Sequence, residues 1–140
     1  MKKIITTIML LVILKVCLST ENYPNPINKS SILRGKKIYK TYCLSCHQID
    51  GSGVPDMNPP LQRSYIVSGK SNRVIKIVLN GLNDGVEING NTYSNPMPAF
   101  GNTLKNQEIA DVLTYVRQNF GNKAGAITAI QVKKARLQPN

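Results

Sequence analysis

The sequence is poor in the side chains that most often bind metals: it has one histidine, His47, and three cysteines among 140 residues. Cys17 lies in an apolar N-terminal segment, which leaves Cys43 and Cys46 beside His47. A structural zinc site usually takes four protein ligands, so these three are too few. A thioredoxin-like dithiol accompanies a βαβ pattern, which this chain lacks. Zinc binding and dithiol chemistry are therefore disfavoured, and a structural disulfide between Cys43 and Cys46 is the third alternative to be weighed.

Long apolar stretches are also scarce. The run from Ile4 to Leu14 follows two lysines and is ended by Lys15, so it is too short for a comfortable membrane span. A basic start, an apolar centre and small residues near a cleavage point are typical of a secretory signal peptide. We therefore predict a signal peptide over residues 1–19, with a retained membrane anchor as the weaker alternative. Residues 20–30, which contain two prolines, are predicted to form an extended leader.

Acidic residues are few, with 7 against 18 lysines and arginines, a formal net charge of +11. Removing residues 1–19 takes away three lysines and leaves 15 cations against 7 acids, or +8. A basic surface suits nucleic acid, an anionic membrane or an acidic protein, and an exported protein rarely meets nucleic acid. An acidic protein partner is the expected counterpart. The plain alternative is a surface that only keeps the chain soluble.

One small domain, residues 31–121, fits this length. Ser30 or Ser31 is expected to cap a helix that leads to Cys43. The Asn-Gly pair near residues 86–93 predicts a short hairpin. Three further helices are expected, at Asn72 to Leu79 capped by Ser71, at Asn106 to Asn119 capped by Asn106, and at Ala129 to Arg136 capped by Thr128. The last of these lies in a C-terminal extension, residues 122–140.

The strongest motif is Cys43-Leu44-Ser45-Cys46-His47, which has the spacing that attaches c-type haem. Two thiols one helical turn apart can form thioethers with the vinyl groups of the porphyrin, and the adjacent imidazole reaches the iron. We therefore predict one covalent haem c, attached through Cys43 and Cys46 and ligated by His47.

A haem that transfers electrons needs a sixth ligand, and with no second histidine the candidates are Met57 and Met97. Met97 is favoured because prolines on both sides stiffen its loop. Met57 follows His47 by only ten residues, too short a loop to reach the opposite haem face comfortably. Pro59 is the candidate carbonyl acceptor for the second nitrogen of His47, although a plain Pro-Pro turn is an alternative.

With Cys43-Leu44-Ser45-Cys46-His47, then Pro59-Pro60-Leu61, then Met97-Pro98-Ala99-Phe100, the chain resembles class I cytochromes c of bacteria. The resemblance implies an all-α fold of three to five helices around one covalent haem. It also implies that Pro59 bonds to the ligand histidine, that Leu61 lies beside the haem and that Met97 is the distal ligand. Four further residues match the crossing of the first and last helices of this family: Gly35, Tyr39, Val112 and Tyr115.

The function implied is electron carriage in the periplasm of a bacterium rather than enzymatic catalysis. Ligand binding or gas sensing at the iron is an alternative, as is a cytochrome subunit of a larger, membrane-bound oxidoreductase. Because the net charge is positive, we predict that a ring of lysines docks an acidic redox partner at the haem edge. The candidates are Lys36, Lys37, Lys40, Lys70, Lys76 and Lys105.

Overall fold

The computed structural model describes residues 28–88 and 90–138, so the predicted signal peptide and most of the predicted leader lie outside the described residues. Within these ranges the chain forms helices and one hairpin. The elements are α1 Lys29–Tyr42, α2 Leu44–His47, α3 Tyr65–Ser68, α4 Ser71–Asn80, β1 Val86–Ile88, β2 Asn91–Tyr93, α5 Asn106–Gln118 and α6 Ala129–Arg136. The predicted helical fold class is confirmed, and two of the six described helices are single turns of four residues.

The small sheet is the predicted antiparallel hairpin. Its strands pair Val86 with Tyr93 and Ile88 with Asn91, which leaves a two-residue turn. Gly90 in that turn has φ +80°, a conformation that glycine adopts without steric cost. The hairpin packs on α3, because Ile88 and Tyr93 are buried against Ile66.

The core is built around α5, whose buried side chains face α1 on one side and α4 and α6 on the other. The crossing with α1 is close at Gly35. A Cβ atom there would lie 2.6 Å from the carbonyl carbon of Asp111 and 2.8 Å from the Cβ of Tyr115. Only glycine therefore lets the two helix backbones approach to this distance. Tyr39, one turn further on, is fully buried and packs its ring 5.5 Å from that of Tyr115.

A buried carboxylate fastens the same crossing. The side chain of Asp111 is 2% exposed and accepts a two-pronged pair of bonds from Arg34, at 2.6 Å from Nε and 2.9 Å from Nη2. The Ser31 hydroxyl and the Gln107 amide also donate to this carboxylate. Burial alone would raise the pKa of Asp111, but the bonds from Arg34, Ser31 and Gln107 outweigh it and hold the pKa below its usual range.

This carboxylate predicts an acid-dependent stability. A carboxyl whose pKa is depressed on folding stabilises the native state above its unfolded pKa, about 3.9, and that contribution is lost as the pH falls through the folded value. Asp111→Asn should therefore lower the free energy of unfolding at pH 7 by about 2 kcal/mol. The deficit should shrink as the pH falls below about 4, because the carboxyl of the unfolded chain is then protonated first, and it should be smallest once the native carboxyl is protonated as well. Urea unfolding of both proteins at the two pH values measures this, and a deficit that does not change with pH would contradict it.

The predicted capping residues of three helices were wrong by one to three residues, although α5 begins at Asn106 as predicted. The side chain of Asn28, not of Ser30 or Ser31, caps α1, by accepting a bond of 2.9 Å from the Ser30 amide, so the helix begins inside the predicted leader. Lys70 precedes α4, which already includes Ser71. Lys105 precedes α5, where the Glu108 carboxylate accepts from the Lys105 amide at 2.7 Å, while the Asn106 side chain is occupied by Arg136.

The C-terminal helix α6 has the predicted bounds and the predicted cap, with the Thr128 hydroxyl accepting from the Gln131 amide. Val132 and Ala135 on its inner face are almost fully buried against α4 and α5. Asn122, where the predicted extension begins, is buried as well. Residues 122–136 therefore form part of the packed structure. None of the described helices is long and apolar enough to cross a membrane.

Candidate haem site

Helix α1 delivers the attachment motif to the site. Cys43 ends α1 through a bond from its amide to the Tyr39 carbonyl, and the following turn, α2, carries Cys46 and His47. The amide of His47 bonds back to the Cys43 carbonyl at 2.9 Å, so the motif is held as one helical turn. Cys46 is exposed, whereas Cys43 is half-buried. The two thiols therefore stand at the border between the interior and solvent.

The thiol environment does not suit a redox dithiol. Burial, and then the charge of Cys46, raise the pKa of the Cys43 thiol to about 12. A reactive dithiol needs a lowered pKa, because the thiolate is the nucleophile. Across residues 28–88 and 90–138, no group of three His, Cys, Asp or Glu side chains lies close enough together to hold a metal ion. These two observations argue against a reactive dithiol and against a metal site built from such a group among the described residues.

His47 has a fixed orientation. Its Nδ1 lies 3.0 Å from the carbonyl oxygen of Pro59, which makes Nδ1 the donor and leaves Nε2 for an iron. The pKa of His47 is lowered because the ring is buried, and the bond to Pro59 only partly offsets this. A neutral imidazole is the form that ligates a metal.

The loop that carries Pro59 is held tightly against the haem motif. Val54 and Asn58 pair through two backbone bonds of 2.8 Å, and the Gly53 amide bonds to the His47 carbonyl at 3.1 Å. Gly53 has φ +70°, and a Cβ atom there would come within 2.7 Å of the carbonyl carbon of Pro59. The glycine therefore lets the loop fold close enough for Pro59 to reach His47.

Met97 is presented from the opposite side by a second backbone pairing. Its amide donates to the Leu82 carbonyl at 2.8 Å, and the Leu82 amide donates to the Met97 carbonyl at 2.9 Å. Gly81, with φ +72°, permits this approach, because a Cβ atom there would lie 2.9 Å from the Ala99 amide nitrogen. The pairing of Leu82 with Met97 joins residues that are distant in the sequence, so no local pattern indicates it.

His47 and Met97 both line one cleft whose walls are almost wholly apolar. A second cleft shares Cys43, His47, Pro59 and Met97 with the first and adds Cys46. The structure thus brings together Cys43, Cys46, His47, Pro59 and Met97, and Leu61 lines the first cleft. Further apolar walls come from α3, α4, α5, the hairpin and the segment after Met97, at Val67, Val74, Ile88, Phe100, Val112 and Val116.

Met57, the other candidate ligand, lines neither of these two clefts and is 47% exposed. Its backbone carbonyl accepts from the Asn95 amide at 3.0 Å, which joins the Pro59 loop to the methionine loop. The structure therefore separates Met57 from the residues of the site.

Asn122 stabilises the segment that carries Leu61, and the sequence contains no signal for this role. Its side-chain amide donates to the carbonyls of Leu61 and Val116 at 2.8 and 3.0 Å, and its oxygen accepts from the Ser64 amide at 3.0 Å. These bonds tie the Leu61 segment to the end of α5. An asparagine in a loop is common, and only the folded chain shows which groups it joins.

The residues present fit a covalent haem. Two cysteines and an oriented imidazole line apolar clefts whose walls also include Met97. An apolar pocket with a few placed polar groups is typical of cofactor sites. Fold and site together define a small helical protein built to enclose one haem.

Comparison with known proteins agrees with this class. The cytochrome c family model matches residues 32–120, and the chain belongs to that family, whose members carry covalently bound c-type haem. Cytochrome c-552 of Thermus thermophilus is 35% identical over 113 residues, which cover 74% of this chain and 85% of that protein.

Other relatives are parts of dehydrogenases. The cytochrome c subunit of the quinone alcohol dehydrogenase of Gluconacetobacter polyoxogenes is 34% identical over 84% of this chain. The fructose dehydrogenase cytochrome subunit of Gluconobacter japonicus is 32% identical over 73% of it. This chain spans only 25% and 22% of the lengths of those two subunits.

Proposed function

We propose that the chain is a mono-haem electron carrier whose iron is ligated by His47 and Met97 and whose haem is bonded to Cys43 and Cys46. The observation that carries this proposal is that His47 and Met97, 50 residues apart in the sequence, line one apolar cleft. When bound, the haem supplies an iron that alternates between two oxidation states, and a His/Met pair raises its potential. The iron would then have no open position for a substrate, which supports a carrier rather than an enzyme.

The chain's own residues would favour rapid electron exchange by staying in place. Pro59 fixes the ring of His47, and the pairing with Leu82 fixes the backbone of Met97. The apolar walls of the cleft would keep water away from a bound haem iron. Because both ligands are preorganised, a change of charge at the iron would require little rearrangement.

A redox titration tests the proposal. The exported protein should be reduced and reoxidised reversibly, and the data should follow a one-electron curve with a single midpoint. Two midpoints or a catalytic turnover of the reductant would overturn it. The second candidate function is that of a cytochrome subunit of a larger oxidoreductase, which the dehydrogenase relatives favour, and a stable complex recovered by gentle detergent extraction would support it.

We further propose that residues 1–19 direct export to the periplasm and that the domain of residues 31–121 assembles with haem there. Support comes from the order of lysines, apolar run and small residues in that segment. The weaker alternative is that the segment remains as a membrane anchor. N-terminal sequencing of the secreted protein distinguishes cleavage near Ser19 from retention.

Exposed lysines support docking to an acidic redox partner. Lys40 lies three residues before Cys43, on the exposed side of α1, and Lys36 and Lys37 are exposed on the same helix. Lys70 and Lys105 are exposed as well, whereas Lys76 donates to the Gln138 carbonyl at 2.6 Å. We therefore place the docking charge on the five lysines other than Lys76.

Salt should then slow the reaction with the partner. Opposite charges speed encounter by tenfold or more at low ionic strength, and screening removes this gain. We expect the second-order rate to fall about tenfold between 10 mM and 150 mM salt, given Debye lengths of about 30 and 8 Å. Lys40→Ala should reduce both the rate and its salt dependence, while Lys133→Ala, on exposed α6, should change neither. A rate independent of salt would contradict the docking proposal.

A further inference from the structure

The side chain of Arg136, at the end of α6, is bonded to the segment that follows Met97. Its Nη1 donates to the Gly101 carbonyl at 2.5 Å, its Nη2 to the Leu104 carbonyl at 2.7 Å and its Nε to the Asn106 side chain at 2.6 Å. All three nitrogen atoms of the planar guanidinium thus donate to groups within residues 101–106. No carboxylate takes part in these contacts.

The helix that carries Arg136 is itself well fastened. The Thr128 cap begins it, and Val132 and Ala135 are buried, at 0% and 1% exposed, in the cluster formed by α4 and α5. Ile127, just before the cap, is buried in the same cluster, and its amide bonds to the Thr114 hydroxyl at 3.0 Å. Arg136 therefore projects from a fixed base rather than from a loose terminus.

The segment that Arg136 holds is directly coupled to the methionine loop. The amides of Phe100 and Gly101 bond to the carbonyls of Val78 and Leu79 in α4, at 2.9 and 3.0 Å. Met97 thus lies between two fastenings, the Leu82 pairing on one side and the Gly101 segment on the other. Gly101 follows Met97 by only four residues, so release of that segment frees one end of the loop.

We infer that Arg136 is a positioning residue that braces the methionine loop and keeps the Met97 sulfur in place as an iron ligand. This inference rests on the proposed function, since it needs Met97 to be the ligand. It gives the C-terminal residues 122–138 a role in the haem site, although Arg136 lines neither cleft around His47 and Met97.

Displacement of the methionine by an added ligand tests the brace. A small nitrogen ligand such as imidazole can bind the ferric iron only after the loop opens, so its apparent affinity reports the opening equilibrium. Arg136→Ala should lower the imidazole concentration at half-displacement about tenfold, because three charge-assisted bonds are lost. Arg136→Lys keeps the positive charge but lacks the planar guanidinium, so its half-displacement concentration should lie between those of the unmodified protein and Arg136→Ala. This variant provides the test if Arg136→Ala does not fold.

Two control variants separate bracing from general stability. Lys133→Ala, on the exposed side of the same helix, should leave the half-displacement point unchanged. Asp111→Asn lowers global stability at the crossing of α1 and α5 and should also leave it unchanged. Loss of the weak far-red band of methionine-ligated ferric haem should accompany imidazole binding in every variant.

The outcomes distinguish the two claims. If Arg136→Ala has the same half-displacement concentration as the unmodified protein and keeps the far-red band, the brace is overturned while ligation by Met97 stands. An equal shift in Asp111→Asn also overturns it, because Arg136 would then act only through global stability. Absence of the far-red band from the unmodified protein overturns ligation by Met97, and the brace with it.

Discussion

Replacing Met97 by alanine should abolish the far-red absorption band of the ferric protein and lower its midpoint potential by on the order of 100 mV or more. The thioether sulfur stabilises the ferrous state, so its loss favours the ferric state. A fall of about 59 mV is a tenfold change in a one-electron equilibrium, so the change exceeds one decade. Spectra and a redox titration of the purified variant measure both effects.

Met57→Ala is the matched control. This methionine is exposed and lies outside both clefts at the site, so its removal should leave the band and the potential unchanged. Loss of the band in Met57→Ala, with its persistence in Met97→Ala, would move the ligand to Met57. Both variants replace a methionine, and the two loops concerned are joined by the bond from the Asn95 amide to the Met57 carbonyl. A difference in band or potential between the variants therefore reports ligation of the iron.

Gly35→Ala should destabilise the fold by about 3 kcal/mol, at the upper end of the usual cost of overpacking a core. The new Cβ would meet the backbone of Asp111 and the Cβ of Tyr115 at 2.6 and 2.8 Å, and neither is a flexible side-chain end that could move aside. Alanine gains about 1 kcal/mol over glycine in helix propensity, which is too little to offset the clash. Helices α1 and α5 must therefore separate, and the bonds between Arg34 and Asp111 weaken.

Denaturant unfolding of the haem-loaded protein measures this loss. Lys36→Ala, the next residue on α1 and exposed, should change the free energy of unfolding by no more than about 0.5 kcal/mol. If Gly35→Ala were as stable as the unmodified protein, α1 and α5 could repack around a methyl group. That result would contradict the conclusion that the helix crossing requires glycine at residue 35.

Local signals carried much of the fold. Thr128 was predicted as the cap of α6, and the structure adds Gln131, three residues later, as its partner in a capping box within one turn. The Asn-Gly pair likewise placed the hairpin, since the turn depends on the backbone freedom of Gly90. The start of α1 was misplaced because Asn28, Ser30 and Ser31 are equally good caps within four residues, and only the fold selects one.

The residues of the site divide along the same line. The haem motif and the choice of Met97 over Met57 came from spacing and loop stiffness, which are local. The Pro59 contact of His47 was predicted, but three other supporting contacts were not, because each acts at long range: Leu82 on Met97, Asn122 on Leu61, and Arg136 on Gly101. A leucine, an asparagine and an arginine at those positions carry no pattern until the chain brings their partners to them.

Exposure of the reduced protein to carbon monoxide is the most direct test of an electron carrier whose iron has no open coordination position. If His47 and Met97 both ligate the iron, the ferrous spectrum should remain unchanged under carbon monoxide at neutral pH, and Met97→Ala, with its position opened, should give the shifted spectrum of a carbon monoxide complex. Rapid formation of that complex by the unmodified protein would contradict the account and favour ligand binding or sensing instead.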